Sequence, residues 1–180
     1  MKIKNSKTAV NLSGDGVRLT AAQKVKLKKI ILEILKDVKN VCETSNLDYY
    51  VSYGTLLGAI RHNGFIPWDD DIDICMKNDD ILKLFSILCE KFPNKYYMTG
   101  YLYGDILDPF FGYKLMLNNT KYVEVECQSH PITRGINIDI FPIVSAPKNK
   151  FLRKIKYFQM RFLNLACSLR YEFSYSPKSL

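Results

Sequence analysis

Long apolar runs are missing from this chain of 180 residues. No stretch approaches the roughly 20 apolar residues that a bilayer-spanning helix needs, so no membrane span is expected. The opening segment MKIKNSKTAVNLSGDG has positive charges but no apolar h-region, so no signal peptide is expected either. Histidine is scarce: His62 and His130 stand alone, and two lone imidazoles do not build a zinc site. The five cysteines (Cys42, Cys75, Cys89, Cys127 and Cys167) are odd in number and form no CxxC pair. That excludes a disulfide framework and predicts reduced, mostly buried thiols in a cytosolic protein. Acidic residues are the minority, 18 against 26 Lys and Arg, for a net charge of +8. The surplus suits an anionic partner, whether nucleotide, phosphorylated polymer, nucleic acid or membrane surface, without choosing among them. Internal repeats and low-complexity tracts are also absent. The composition, 47% apolar and 24% charged, is that of one folded domain.

Periodicity divides the chain. Residues 1–18 are polar, contain Gly14 and Gly16, and read as a flexible N-terminal arm. Residues 19–148 read as the core, and 149–180 as a basic C-terminal helix and tail. Thr20 is a natural N-cap for a helix in which Leu27, Ile30, Ile31, Ile34, Val38 and Val41 recur at three- and four-residue steps. Lysines fill its other face and are expected to be solvated. YYVSYG reads as a strand ending at Gly54, TLLGAIRHNG as a short helix closing at Gly64, and FIPWDD as a loop broken by Pro67. DIDICM alternates strictly. Asn78 and Asp79 are placed to cap a helix carrying Ile81, Leu84, Phe85, Leu88 and Phe92. Strands are then expected in KYYMTGYLY, FFGYKLML, TKYVEVEC and INIDIFPI. Beyond Lys150 a helix carries Phe151, Ile155, Phe158, Phe162, Leu165 and Leu169 as an apolar stripe, expected to cover the core. The order predicts an α/β (α+β) fold, a mixed β-sheet flanked by helices.

The chemistry concentrates in GTLLGAIRHNGFIPWDDDIDI, where Asp69, Asp70, Asp71 and Asp73 crowd together. In a strand, residues i and i+2 share a face about 6.6 Å apart, so Asp71 and Asp73 project together while Ile72 and Ile74 face the core. Two carboxylates so placed repel and raise each other's pKa unless a cation lies between them, and Mg²⁺ suits such oxygen ligands. The plain alternative is a solvated acidic cap, but the isoleucine alternation fixes the pair on a strand. An EF-hand loop is excluded by its missing Gly and Glu. INIDIF repeats the pattern, with Asn137 and Asp139 opposite Ile136, Ile138 and Ile140. Asp139 is expected beside Asp71 and Asp73 as third metal ligand or general base. An edge-strand charge is the alternative. Gly54-Thr55, at a helix start, can hold a phosphate through backbone N–H groups. Arg61 and Lys114 are candidates for meeting phosphate charge, against the plain reading of surface charges. Tyr53, Phe65 and Trp68 are expected to pack rather than to stack bases.

YGTLLGAIRHNGFIPWDDDIDI followed by INIDIFPI resembles the LicD family of phosphotransferases, relatives of the fukutin group in the nucleotidyltransferase superfamily, over roughly residues 25–145. The resemblance implies a nucleotidyltransferase-like mixed sheet and a requirement for Mg²⁺ or Mn²⁺. It implies transfer of phosphocholine or a polyol phosphate from a CDP-linked donor such as CDP-choline to a glycan or lipid-linked glycan of the cell surface. Carried onto this sequence, Gly54 and Thr55 would hold donor phosphate, Asp71 and Asp73 would bind metal, and Asp139 would complete the acidic triad. Members of the family usually continue past the point where this chain stops. Two alternatives follow: a nucleotidyltransferase attaching NMP to a small molecule or macromolecule, and a short, non-catalytic relative. The basic C-terminal helix suggests peripheral contact with the inner membrane face. The basic residues lack interleaved aromatic platforms, so a nucleic-acid partner is not expected.

Overall fold

A computed structural model describes residues 19–100, 112–122 and 135–175. The expected N-terminal arm, His130, Cys127 and most of the strand expected in TKYVEVEC lie outside the described residues.

Thr20 caps the first helix, α1 (Ala21–Ser45), with a reciprocal pair of hydrogen bonds. The Gln23 N–H donates to Thr20 Oγ1 and the Thr20 N–H to Gln23 Oε1, at 3.3 and 2.8 Å. The helix buries Leu27, Ile31, Ile34, Val38 and Val41 as their spacing requires, adds Cys42, and ends where Asn46 turns left-handed. Then follow β1 (Tyr49–Val51), α2 (Tyr53–His62), β2 (Asp73–Lys77), α3 (Asn78–Lys91), β3 (Tyr96–Gly100), β4 (Tyr113–Leu117), β5 (Asn137–Ile143) and α4 (Lys150–Tyr175). The expected mixed sheet is present, five strands in the order β1-β2-β5-β4-β3. Among the described strands, only β2 and β5 pair in parallel.

One face of this sheet is the core. Ile72, Ile74 and Met76 leading into and along β2, and Ile138 and Ile140 of β5, are at most 1% exposed and cluster with the apolar stripes of α1 and α3. Each such side chain contributes about 1.5–3 kcal/mol by leaving water. A one-residue slip would expose these isoleucines and bury the aspartates between them, so the same burial that holds the sheet together fixes the carboxylates on the opposite face.

Several boundaries differ from expectation. The first strand stops at Val51, and Gly54 lies in the opening turn of α2, because Ser52 is already the extended residue preceding that helix. That helix closes at Asn63, whose φ of 52° suits asparagine, and not at Gly64. The residue preceding α3 is Lys77, with no side-chain cap, since β2 runs directly into the helix; Asn78 Oδ1 instead accepts from the Tyr113 hydroxyl at 3.0 Å. Cys42 is buried as expected, but Cys89 is exposed.

The largest departure is α4. Phe151, Ile155, Phe158, Phe162, Leu165 and Leu169 do not cover the core: all are exposed, Phe162 by 71%. The helix-bearing face of the sheet is already filled by α1 and α3. Among the described residues, no helix is long and apolar enough to cross a membrane.

Candidate active site

On the face opposite the core, one rung of the sheet carries four polar side chains. Asp73 of β2 lies opposite Asp139 of β5, Asp139 opposite Lys114 of β4, and Lys114 opposite Thr99 of β3. The expected neighbourhood of Asp73 and Asp139 is therefore a direct register pair. Lys114 is no surface charge: it is 3% exposed, and its Nζ donates to both oxygens of Asp139, at 2.9 and 3.0 Å. The Asn137 amide adds a third hydrogen bond to Asp139 Oδ1 at 2.8 Å.

The glycine segment reaches the same place through α2. The Ser52 N–H donates to the Asp73 carbonyl at 3.1 Å, and the Asp73 N–H donates to Thr55 Oγ1 at 2.8 Å. Both peptide groups of Asp73 are thus tied to the first turn of α2. At Gly54 a Cβ would lie 2.7 Å from Asp69 Oδ2, so only glycine lets that carboxylate come so close. Gly58, one helical turn on, was not singled out in the sequence. A Cβ there would meet the Gly64 carbonyl oxygen at 2.5 Å and the Ile66 nitrogen at 2.9 Å. It lets the loop lie against α2 and aim residues 69–73, and the G-x-x-x-G spacing was the available signal. Lys28 of α1, expected to be solvated, donates to the Ile66 and Pro67 carbonyls at 3.3 and 3.4 Å and holds the same loop. Arg61 is not brought to the carboxylates in this way: it sits exposed in the last turn of α2, about 9 Å of helix rise beyond Thr55.

The electrostatics are lopsided. Asp73 is pushed up to about 6 by burial, by Asp139 and by Asp69, with Lys114 pulling the other way. Asp71 is pushed up to about 7 by burial and by the charges of Asp73, Asp69 and Asp139. Its side chain still meets solvent, so a cation could reach it. A mostly apolar cavity of about 310 Å³, walled by Leu32, Leu35, Phe65 and Ile66, reaches Gly54, Thr55, Asp69 and Asp71 at its polar edge; Asp73 does not line it. A second, of about 110 Å³, lies between Asp70, Asp71, Tyr122 and Asn137.

Among the described residues no group of three His, Cys, Asp or Glu side chains is gathered closely enough to hold a metal as it stands, since Asp139 is held on Lys114. The Asp71–Asp73 pair still fits a hard divalent cation. Both offer oxygen ligands, Asp73 raises the pKa of Asp71, and the charges of the cluster are only partly balanced.

The aromatic expectations divide. Phe65 packs against the core cluster beneath Lys28, whose Nζ lies 5.0 Å from the ring centroid. Trp68 and Tyr53, expected to pack, are instead 76% and 64% exposed.

Asp71, expected on the strand, lies two residues before β2; a mixed sheet that sets Asp73 at the start of one strand beside Asp139 on its parallel neighbour, under a helix with glycine in its first turn, defines a nucleotidyltransferase-type domain. The LicD/FKTN/FKRP nucleotidyltransferase domain matches residues 46–164, and the chain belongs to that family. A stretch of 69 residues, 38% of this chain, is 41% identical to the lipopolysaccharide cholinephosphotransferase LicD of Haemophilus influenzae, covering 26% of that protein. Over 53 residues, 29% of this chain, it is 36% identical to the human ribitol 5-phosphate transferase FKRP, covering 11%. An uncharacterized protein of Rickettsia prowazekii, RP689, is 41% identical over 58 residues, 32% of this chain and 22% of its own length. The matched stretches span about a quarter or less of these relatives.

Proposed function

We propose that this chain transfers phosphocholine or a related polyol phosphate from a CDP-linked donor, such as CDP-choline, to a glycan or lipid-linked glycan of the cell surface. The observation that carries this reading is the Asp73–Asp139–Lys114 rung, with Asp71 and Asp69 beside an open cavity. Two relatives named for transferring cholinephosphate and ribitol 5-phosphate support it. Asp71 and Asp73 would hold Mg²⁺ or Mn²⁺, which when bound supplies positive charge for the donor's pyrophosphate. Gly54 and Thr55, in the first turn of α2, line the same cavity as Asp69 and Asp71, and the positive end of that helix favours phosphate. Asp139 would stand beside the pair rather than as a third ligand, its charge taken up by Lys114. Incubation with Mg²⁺ and a panel of CDP-linked donors should release CMP with wild-type protein and none with Asp73→Asn, whose fold should persist. CMP release undiminished in Asp73→Asn, or pyrophosphate release from an NTP in its place, sinks the assignment.

The same reading sets α4 on an anionic membrane surface at the cytoplasmic face, where lipid-linked acceptors would lie. Phe151, Phe158 and Phe162 are exposed, and no acidic residue interrupts the basic residues from Lys150 to Arg170. Vesicles containing phosphatidylglycerol should co-sediment the protein, and phosphatidylcholine vesicles should not. Unchanged co-sedimentation of Phe158→Asp/Phe162→Asp removes the helix from that role.

A further inference from the structure

Tyr53 has a backbone conformation that its side chain disfavours. Its φ is 46°, in the left-handed region that suits glycine and burdens a bulky residue. Such a conformation persists where the surroundings hold it, and here they do. Ser52 before it and Thr55 after it are both bonded to the peptide groups of Asp73. The ring gains little burial in return, being 64% exposed. It stands edge-on to Phe141, centroids 4.9 Å apart with the planes at 68°.

Phe141 fixes where this ring lies relative to the carboxylates. It lies two residues past Asp139 on β5, on the same face, and opposite Cys75 of β2, whose Sγ receives the Ser52 hydroxyl at 2.9 Å. The carboxylate rung, Asp73–Asp139, is therefore followed about 6.6 Å along the strands by the Cys75–Phe141 rung, against whose phenyl ring Tyr53 packs. A nucleotide likewise sets its flat base one ribose away from its 5′-phosphate. A strained, exposed aromatic beside a phosphate-suited cluster is more than core packing requires.

We infer that Tyr53, braced by Phe141, is the stacking platform for the donor's nucleobase, so the ring recognises the flat base while the carboxylates and α2 serve the phosphates. This rests on the nucleotide-donor reading above, and it assigns that donor's base a site of its own. Base-on-aromatic stacking tolerates any base, so the platform contributes affinity rather than a choice of cytosine.

The test compares CMP with ribose 5-phosphate, which keeps the phosphate and lacks the base, by calorimetry on the full chain with saturating Mn²⁺. Wild-type protein should bind CMP more tightly than ribose 5-phosphate. Tyr53→Gly, which relaxes the backbone and so should unfold no earlier than wild type, should lose roughly tenfold in CMP affinity and leave ribose 5-phosphate unchanged. Tyr53→Phe should stay within about twofold for both, because the ring remains. Unchanged CMP affinity in Tyr53→Gly, or equal loss of both probes, overturns the platform while leaving the phosphate site standing. Equal wild-type affinity for the two probes overturns it as well. If wild-type protein binds neither probe, the donor reading itself falls and the platform with it.

Discussion

Asp73 and Asp139 are the same residue on the same rung of one sheet, one register partner apart, and their surroundings are opposite. Asp139 has an ammonium on both oxygens and an amide on one. Asp73 has carboxylates on two sides, Asp139 across the ladder and Asp69 from the loop, with Asp71 two residues before it. The sheet thus neutralises one aspartate from within and leaves the others short of positive charge. Charge is missing on the open side only. On the proposed reading that asymmetry would favour a cation taken up from solution, whereas an acidic patch serving only solubility would need no buried lysine.

The sharpest way to break this comparison is to remove the lysine. Lys114→Met leaves Asp139 facing Asp73 with its cation gone, in a place where the pair's side chains are only 4% and 13% exposed. Removing one partner of a buried pair costs about 3–5 kcal/mol, because the other charge is left uncompensated. Urea unfolding should register a loss near the lower figure, since Asn137 still donates to Asp139. Adding Asp139→Asn to the variant should restore most of it, because the stranded charge then disappears. If the double variant is no more stable than Lys114→Met alone, the lysine serves packing rather than charge, and the two aspartates are less different than they look.

Much of this rung was legible before any coordinates. Isoleucine alternation in DIDICM and INIDIF fixed which faces Asp71, Asp73 and Asp139 take, because burying Ile72, Ile74, Ile138 and Ile140 outweighs any local preference of aspartate. Helix α1 was legible to its capping residue for a similar reason, since Thr20 and the apolar steps agree. The partner of Asp139 was not. A lysine in FGYKLML carries no mark of burial, and only the strand order that sets β5 between β2 and β4 gives it a carboxylate. The apolar stripe of α4 misled because amphipathicity shows that a face wants covering without saying what covers it. Tyr53 was opaque as well: positive φ is usually announced by Gly or Asn, and here Gly54 stands one residue too late.

A gentler probe sharpens the same contrast through pH. Asp71 and Asp73 titrate at about 7 and about 6 in the folded chain, well above the 3.8 of a free aspartate. The folded state therefore binds more protons than the unfolded chain through that window, and linkage makes stability fall as pH rises. The contribution of these groups is fully present below about pH 4 and is lost as pH climbs through 6 and 7. Without divalent metal, the midpoint of thermal unfolding should drop by a few degrees from pH 5.5 to 8, a shift consistent with a loss on the order of 1 kcal/mol. Asp71→Asn should flatten most of that slope, since it removes the group pushed up furthest and relieves its neighbour. With saturating Mn²⁺ the slope should reverse, because ligand carboxylates must be deprotonated and the cation gains hold as protons leave. Asp139→Asn should flatten the slope less than Asp71→Asn, because Asp139 is already neutralised by Lys114. If the two variants flatten it equally, the lysine does not separate the rung into a balanced half and an open one.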